Sequence, residues 1–402
     1  MIAARSMTWI ACLVILALTS FVFSARSSAQ LIDANQPLRI ATFNVSLNRR
    51  VKGKLANDLQ SDNAQAQKVA RILRTVRADI VLLNEFDFDS DGKSIQLFKE
   101  RFLQAAEDGA SHPITYSYSF STTVNTGLPT GIDFDHDGKT DSPGDAFGFG
   151  LFPGQYGMLI LSKFPIDVKN VRTFQKLLWR DMPAAAVPID PSTNAAWYSQ
   201  REWNAFRLSS KSHWDVPINV NGKVLHVLAS HPTPPAFDGP ENRNGKRNHD
   251  EIRLWAEYLT HADCNWLMDD NGRAGGLPAD ESFVILGDQN ADPFDGGSFN
   301  NAIQQLLNHN RVNSTFVPGS DGAVQATEAQ NGANMRHTGI SRNDTADFSD
   351  GEVGNLRVDY VLPSHDWIVK NGGVFWPAKG QSQSDAIDCS DHRLVWLDLE
   401  TE

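Results

Sequence analysis

The chain has 402 residues, 41% of them hydrophobic and 21% charged, with a formal charge of −12. That acidity excludes long-range attraction of polyanions and weighs against non-specific nucleic-acid binding. Three cysteines are too few for a disulfide scaffold, so a hydrophobic core must carry the stability.

The first residues read as an export signal. Arg5 supplies positive charge, Trp9 to Leu18 is an unbroken apolar run, and Ser27-Ser28-Ala29 offers small residues for cleavage. The run is shorter than the roughly 20 residues a membrane span needs. Residues 1–29 are therefore expected to be removed, leaving 30–402 as one secreted or periplasmic domain. Cleavage would delete Arg5, Arg26 and no acid, making the charge two units more negative. Cys264 and Cys389 would then remain, free to pair in an oxidising compartment.

Leu38 to Val45 reads as a buried strand. Ala64 to Arg77 reads as a helix, with Val69, Ile72, Leu73 and Val76 on one face. Asp79 to Asn84 is a second buried strand, so the chain opens with a strand–helix–strand unit of the kind that favours parallel pairing. Further strands are expected at Tyr156–Ser162, Lys223–Ser230, Ser282–Leu286, Arg357–Leu362 and Leu394–Leu399. Helices are expected over 248–260 and after Ser298. Leu128 to Gly154 is rich in Asp and Gly, and Met182 to Ser212 in Pro, Ser and Trp. Both read as long loop insertions.

Polar groups gather where the strands end. Glu85 closes an otherwise apolar run, where a carboxylate is costly unless it is paired or binds a metal. Asn44 interrupts the first strand. His231 follows the strand HVLAS, and Asp288 and Asn290 sit on the turn after FVILG. Asp359 lies inside RVDY, and Asp391-His392 precedes the last strand. A hard cation takes oxygen ligands, a carboxylate can accept a proton from water, and an imidazole can donate to a developing charge. Each residue alone has an ordinary hydrogen-bonding explanation. The basic run Arg49, Arg50, Lys52 and Lys54, the group Arg207, Ser209, Ser210, Lys211 and His213, and Arg243, Lys246 and Arg247 could meet phosphate or simply be solvated.

The blocks ATFNV, DIVLLNE, YGMLILSKFPI, HVLASH, VILGDQNAD, RVDYVLP and SDHRLVWLDL, in this order, make the chain resemble the endonuclease/exonuclease/phosphatase superfamily. The resemblance implies an α/β four-layer sandwich of two stacked mixed β-sheets flanked by helices. It implies Mg2+ or Mn2+ held by Glu85, assisted by Asn44 and Asp391. It implies Asp288 as activator of water, Asn290 as a donor to phosphate, His231 and His392 as transition-state or leaving-group donors, and Asp359 as the residue orienting His392. The reaction would be in-line hydrolysis of a phosphoester in a small molecule, lipid head group or nucleic acid, by a monomer. Abasic-site endonucleases often continue the first-strand Asn into Gly-Leu-Arg. Here Asn44 is followed by Val45-Ser46-Leu47, which argues against DNA repair.

Asp133, Asp135, Asp137 and Asp141, with the Lys139 carbonyl, match several positions of a calcium loop, although Gly144 stands where the bidentate Glu belongs. Asp87, Asp89, Asp91 and Gly92 repeat the opening of that pattern. The competing function is a calcium-binding surface or adhesion protein built on a hydrolase-like fold.

Overall fold

The computed structural model describes residues 36–105 and 112–401; the expected export signal lies outside them. Eleven strands build the two principal sheets. In chain order they are β1 (Leu38–Asn44), β2 (Ile80–Asn84), β3 (Tyr118–Phe120), β4 (Met158–Ser162), β5 (Arg172–Thr173), β6 (His213–Val220), β7 (Lys223–Ser230), β8 (Phe283–Asp288), β9 (Asp359–Pro363), β10 (Trp367–Val374) and β11 (Val395–Thr401). The first sheet runs β10-β11-β1-β2-β4-β3 and the second β9-β8-β7-β6-β5. β1 and β2 pair in parallel, as do β7 and β8; the other pairs are antiparallel.

Alternation along the strands sorts the core into layers. Ile40, Ile80, Leu82, Met158 and Ile160 of the first sheet face Trp214, Val216, Val227, Val284 and Leu286 of the second. Their neighbours Val81, Leu83, Leu159 and Leu161 point the other way, against Val69, Ala70, Ile72 and Leu73 of helix α1 (Ala64–Val76). Leu228, Phe283, Ile285 and Tyr360 pack under Ile252, Trp255 and Leu259 of helix α2 (Arg243–Thr260). The order is helix, sheet, sheet, helix: the four-layer sandwich that the resemblance implied. Each fully buried Leu or Ile contributes roughly 1.5–3 kcal/mol.

Local chemistry fixes the helix ends. Asn63 caps α1, accepting from Ala66 N at 2.9 Å, and Arg77 closes it in the left-handed region. The second helix starts five residues before the expected 248, because the Asp238 carboxylate accepts from Asn244 N at 2.6 Å and so caps a turn with no apolar periodicity. β6 falls at the end of a polar insertion, and Asp215 and Pro217 break its pattern. The Pro217 carbonyl stays paired, accepting from Asp167 N at 2.9 Å.

Cys264 and Cys389 do not pair. Both are free, Cys389 packing under the first sheet and Cys264 beside the α2 layer. Among the described residues, no helix is long and apolar enough to cross a membrane.

Candidate active site

The parallel pair β1 and β2 ends at Asn44 and Asn84, and the parallel pair β7 and β8 ends at Ser230 and Asp288. The sheets are stacked so that these ends meet: Asn84 Oδ1 accepts from Asp288 N at 3.2 Å, and Asn84 Nδ2 donates to Ser230 O at 3.4 Å. Gly287 permits this closeness. Its φ is +143°, and a Cβ there would lie 2.0 Å from Ser230 O.

Asp288 stands at the centre and is fully buried. Its Oδ2 accepts from Asn44 Nδ2 at 3.1 Å and lies 3.3 Å from His231 Nε2 and 3.6 Å from His392 Nε2. Its Oδ1 accepts from Asn290 N at 2.9 Å. Burial alone would raise its pKa, but the two imidazoles and Asn44 hold it well below the usual carboxylate range.

The two histidines are set apart by their surroundings. His392 Nδ1 faces Asp359 Oδ2 at 2.9 Å, and that oxygen also accepts from Thr345 Oγ1 at 2.8 Å. Burial would lower the His392 pKa, but Asp359 and Asp288 push it up to about 10, so it is an imidazolium at neutral pH. Burial raises Asp359 to about 6 against the pull of His392. His231 has one carboxylate neighbour, and burial pulls it down to about 4. It is neutral, with Nε2–H toward Asp288, and its buried Nδ1 has no partner.

Glu85 takes a positive φ of 60°, a strained conformation for a side chain that size, and receives Asn48 Nδ2 at 2.7 Å. Burial raises its pKa, with His392, Lys211 and Asn44 opposing and Asp391 reinforcing. Asp391 is exposed and accepts from Ser46 Oγ at 3.3 Å, while Ser390 Oγ donates to Asn44 O at 2.7 Å. The last loop is thereby tied to the end of β1. Asn290 donates through Nδ2 to Pro232 O at 3.1 Å. All eight expected residues, Asn44, Glu85, His231, Asp288, Asn290, Asp359, Asp391 and His392, gather at this one end of the sandwich.

Other expected groups serve the fold. Arg49 and Lys54 both pair with Asp58. Arg247 is buried against the carbonyls of Leu208, Phe147 and Arg207. Arg207 donates to Asn125 Oδ1, and His213 is buried between Ser209 and Glu251 O. Of that group, Ser210 Oγ donates to His231 O at 3.4 Å and Lys211 Nζ to Pro232 O at 3.5 Å, beside the site. Sequence reasoning passed over Asn48, Asn84 and Thr345 as site supports; all are short polar residues in or beside strand ends, which is the one signal that could have found them.

Asp133, Asp135 and Asp137 present carboxylate oxygens within 4.8 Å of one another; Asp141 does not join them. The late acid Asp145 is not a substitute for the missing Glu: it is buried, accepting from Phe134 N at 2.9 Å and Ser142 N at 2.8 Å. The second aspartate loop is consumed by the backbone. Asp87 accepts from Arg49 N and Tyr156 N, and Asp89 from Ser94 N.

The fold and this cluster define a class: an α/β sandwich with carboxylates, amides and imidazoles converging where strands end. The endonuclease/exonuclease/phosphatase family model matches residues 41–392, and the chain belongs to that family. Its members are metal-dependent phosphoester hydrolases, so this chain is an enzyme of that kind acting on phosphorylated substrates. Similar solved structures include an endonuclease/exonuclease/phosphatase from Beutenbergia cavernae (18% identity, covering 91% of this chain and 72% of that one, TM-score 0.47). Sphingomyelinase C from Streptomyces griseocarneus is also similar (16% identity, 90% and 99%, TM-score 0.46). So is a family protein from Leptotrichia buccalis (13% identity, 90% and 99%, TM-score 0.44). A search of curated proteins returned no match.

Proposed function

We propose that the chain is an exported, monomeric hydrolase that cleaves a phosphoester by in-line attack of water, using Mg2+ or Mn2+. The observation that carries this reading is Asp288, a buried carboxylate held 3.3 Å from His231 Nε2 and 3.6 Å from His392 Nε2.

Glu85, Asn44 and Asp391 fit a divalent cation. Their donors are oxygens, Asn44 lies between the Glu85 and Asp288 carboxylates, and the Glu85 carboxylate is driven toward protonation where no cation balances it. Asp288, Asp359 and His392 also cluster closely, with His392 Nδ1 2.9 Å from Asp359 Oδ2 and Nε2 3.6 Å from Asp288 Oδ2. The cation supplies charge for the phosphate oxygens and the leaving group. Asp288 accepts the proton of the attacking water. Asn290 presents its amide to a non-bridging oxygen. His392, kept protonated by Asp359, donates to the developing charge, and His231 offers its Nε2–H beside it. No side chain here is placed as a covalent nucleophile. The Asp133, Asp135 and Asp137 carboxylates are proposed to hold a structural calcium ion.

Export rests on the N-terminal sequence alone. The test of the reading is hydrolysis of bis-p-nitrophenyl phosphate and p-nitrophenyl phosphate with Mg2+, Mn2+ or Ca2+. Metal-dependent release of nitrophenol that chelation abolishes supports it. Absence of turnover with all three ions overturns it.

A further inference from the structure

Lys211 is 6% exposed, yet among the described residues no carboxylate lies within ion-pair distance of its ammonium. Its Nζ has a single protein acceptor, Pro232 O, at 3.5 Å. That carbonyl also accepts from Asn290 Nδ2 at 3.1 Å. The ammonium and the Asn290 amide thus converge on one oxygen, immediately after His231.

The surrounding shell is firm. Glu251 of α2 accepts from Ser210 N at 2.6 Å through one oxygen and from Thr233 N at 2.7 Å through the other. One buried carboxylate therefore pins the residue before Lys211 and the segment after His231. Asn125 N donates to Lys211 O at 2.8 Å. Burial lowers the Lys211 pKa, and Glu251, Glu85 and Asp288 oppose that loss. A buried ammonium with one long hydrogen bond costs stability unless something else accepts its protons.

We propose that Lys211 is a catalytic residue: its ammonium donates to a non-bridging oxygen of the scissile phosphate, on the side of Asn290. This rests on the phosphoester reading above. Three donor types would then converge on the reacting group: amide, imidazole and ammonium. The role is hydrogen-bond donation from Nζ to the phosphate oxygen, and no covalent bond to Lys211 forms or breaks. The remaining Nζ protons, unused in the protein, are those that a phosphate oxygen would take.

The test compares wild type with Lys211→Met, Lys211→Gln and Lys211→Arg. Three quantities are read: dissociation constant for inorganic phosphate, kcat/KM on bis-p-nitrophenyl phosphate, and melting temperature. Lys211→Met is expected to weaken phosphate binding at least ~10-fold and to lower kcat/KM by about 10²-fold, the scale for losing one transition-state donor. Its melting temperature should stay level or rise, because the unsatisfied buried charge is gone. Lys211→Arg should recover part of the phosphate affinity. Should Lys211→Met fail to fold, Lys211→Gln and Lys211→Arg carry the same comparison. Unchanged phosphate affinity together with a lower melting temperature would overturn the proposal and make Lys211 a packing residue. Wild-type turnover with unchanged kcat/KM in Lys211→Met sinks this inference while sparing the hydrolase reading. Wild type that binds phosphate through Lys211 but turns over nothing sinks the hydrolase reading instead.

Discussion

Replacing Asp288 with Asn keeps the size of the side chain and removes its charge. The three donors around Oδ2 come from Asn44, His231 and His392, so the amide oxygen must take that position. The amide NH2 is then forced against the Asn290 N–H, which donates to Oδ1 at 2.9 Å in the native site. One buried hydrogen bond is lost and two donors face each other, a cost of about 1–3 kcal/mol. For a chain of this size that is a fall of only a few degrees, at roughly 2–4 °C per kcal/mol or less. The effect on rate is far larger, because general-base assistance is worth about 10²–10⁴-fold. Asp288→Asn should therefore unfold within a few degrees of wild type while kcat on bis-p-nitrophenyl phosphate drops at least ~10²-fold. The assay pairs steady-state kinetics at saturating Mg2+ with calorimetry. A variant that keeps kcat within tenfold of wild type would remove Asp288 as the base.

Glu85→Gln should shift the Mg2+ titration midpoint upward at least ~10-fold, as loss of an oxygen ligand requires; an unmoved midpoint counts against ligation. The raised pKa of His392 implies stability that is complete below the unfolded value of 6.5 and is lost as pH rises through about 10. In metal-free protein, Asp359→Asn should move that alkaline loss to lower pH, visible in the imidazole resonance of His392; an unshifted titration would deny the pairing. Chelation should lower the melting temperature of wild type but not of Asp135→Ala, if the Asp133, Asp135 and Asp137 oxygens hold calcium; equal responses argue that they do not.

The site was legible because its residues sit at the ends of apolar runs. Glu85 and Asp288 each follow a mostly apolar run, IVLLN and FVILG, and a strand that stops in a carboxylate advertises where that carboxylate will be. Lys211 carried no such mark. It precedes β6, whose pattern is broken by Asp215 and Pro217, so the polar run before it read as surface. Long-range contacts hold it in place: Glu251, forty residues on in the helix, accepts from Ser210 N, and Asn125 N donates to Lys211 O. The second aspartate loop was harder to read for a related reason. Spacing alone cannot distinguish a carboxylate waiting for an ion from one already taken by backbone N–H groups, as Asp87 and Asp145 are. The free cysteines differ by layer, and layer assignment depends on strand order that no local pattern reveals.

The pairing of β1 with β11 has a temporal consequence. Asn44 is made early, and the Asp391-His392 corner almost last, yet Ser390 must reach Asn44 O before the pocket exists. A ribosome-bound or clipped polypeptide lacking its final dozen residues would hold Asn44, Glu85, His231 and Asp288 but lack Asp391 and His392.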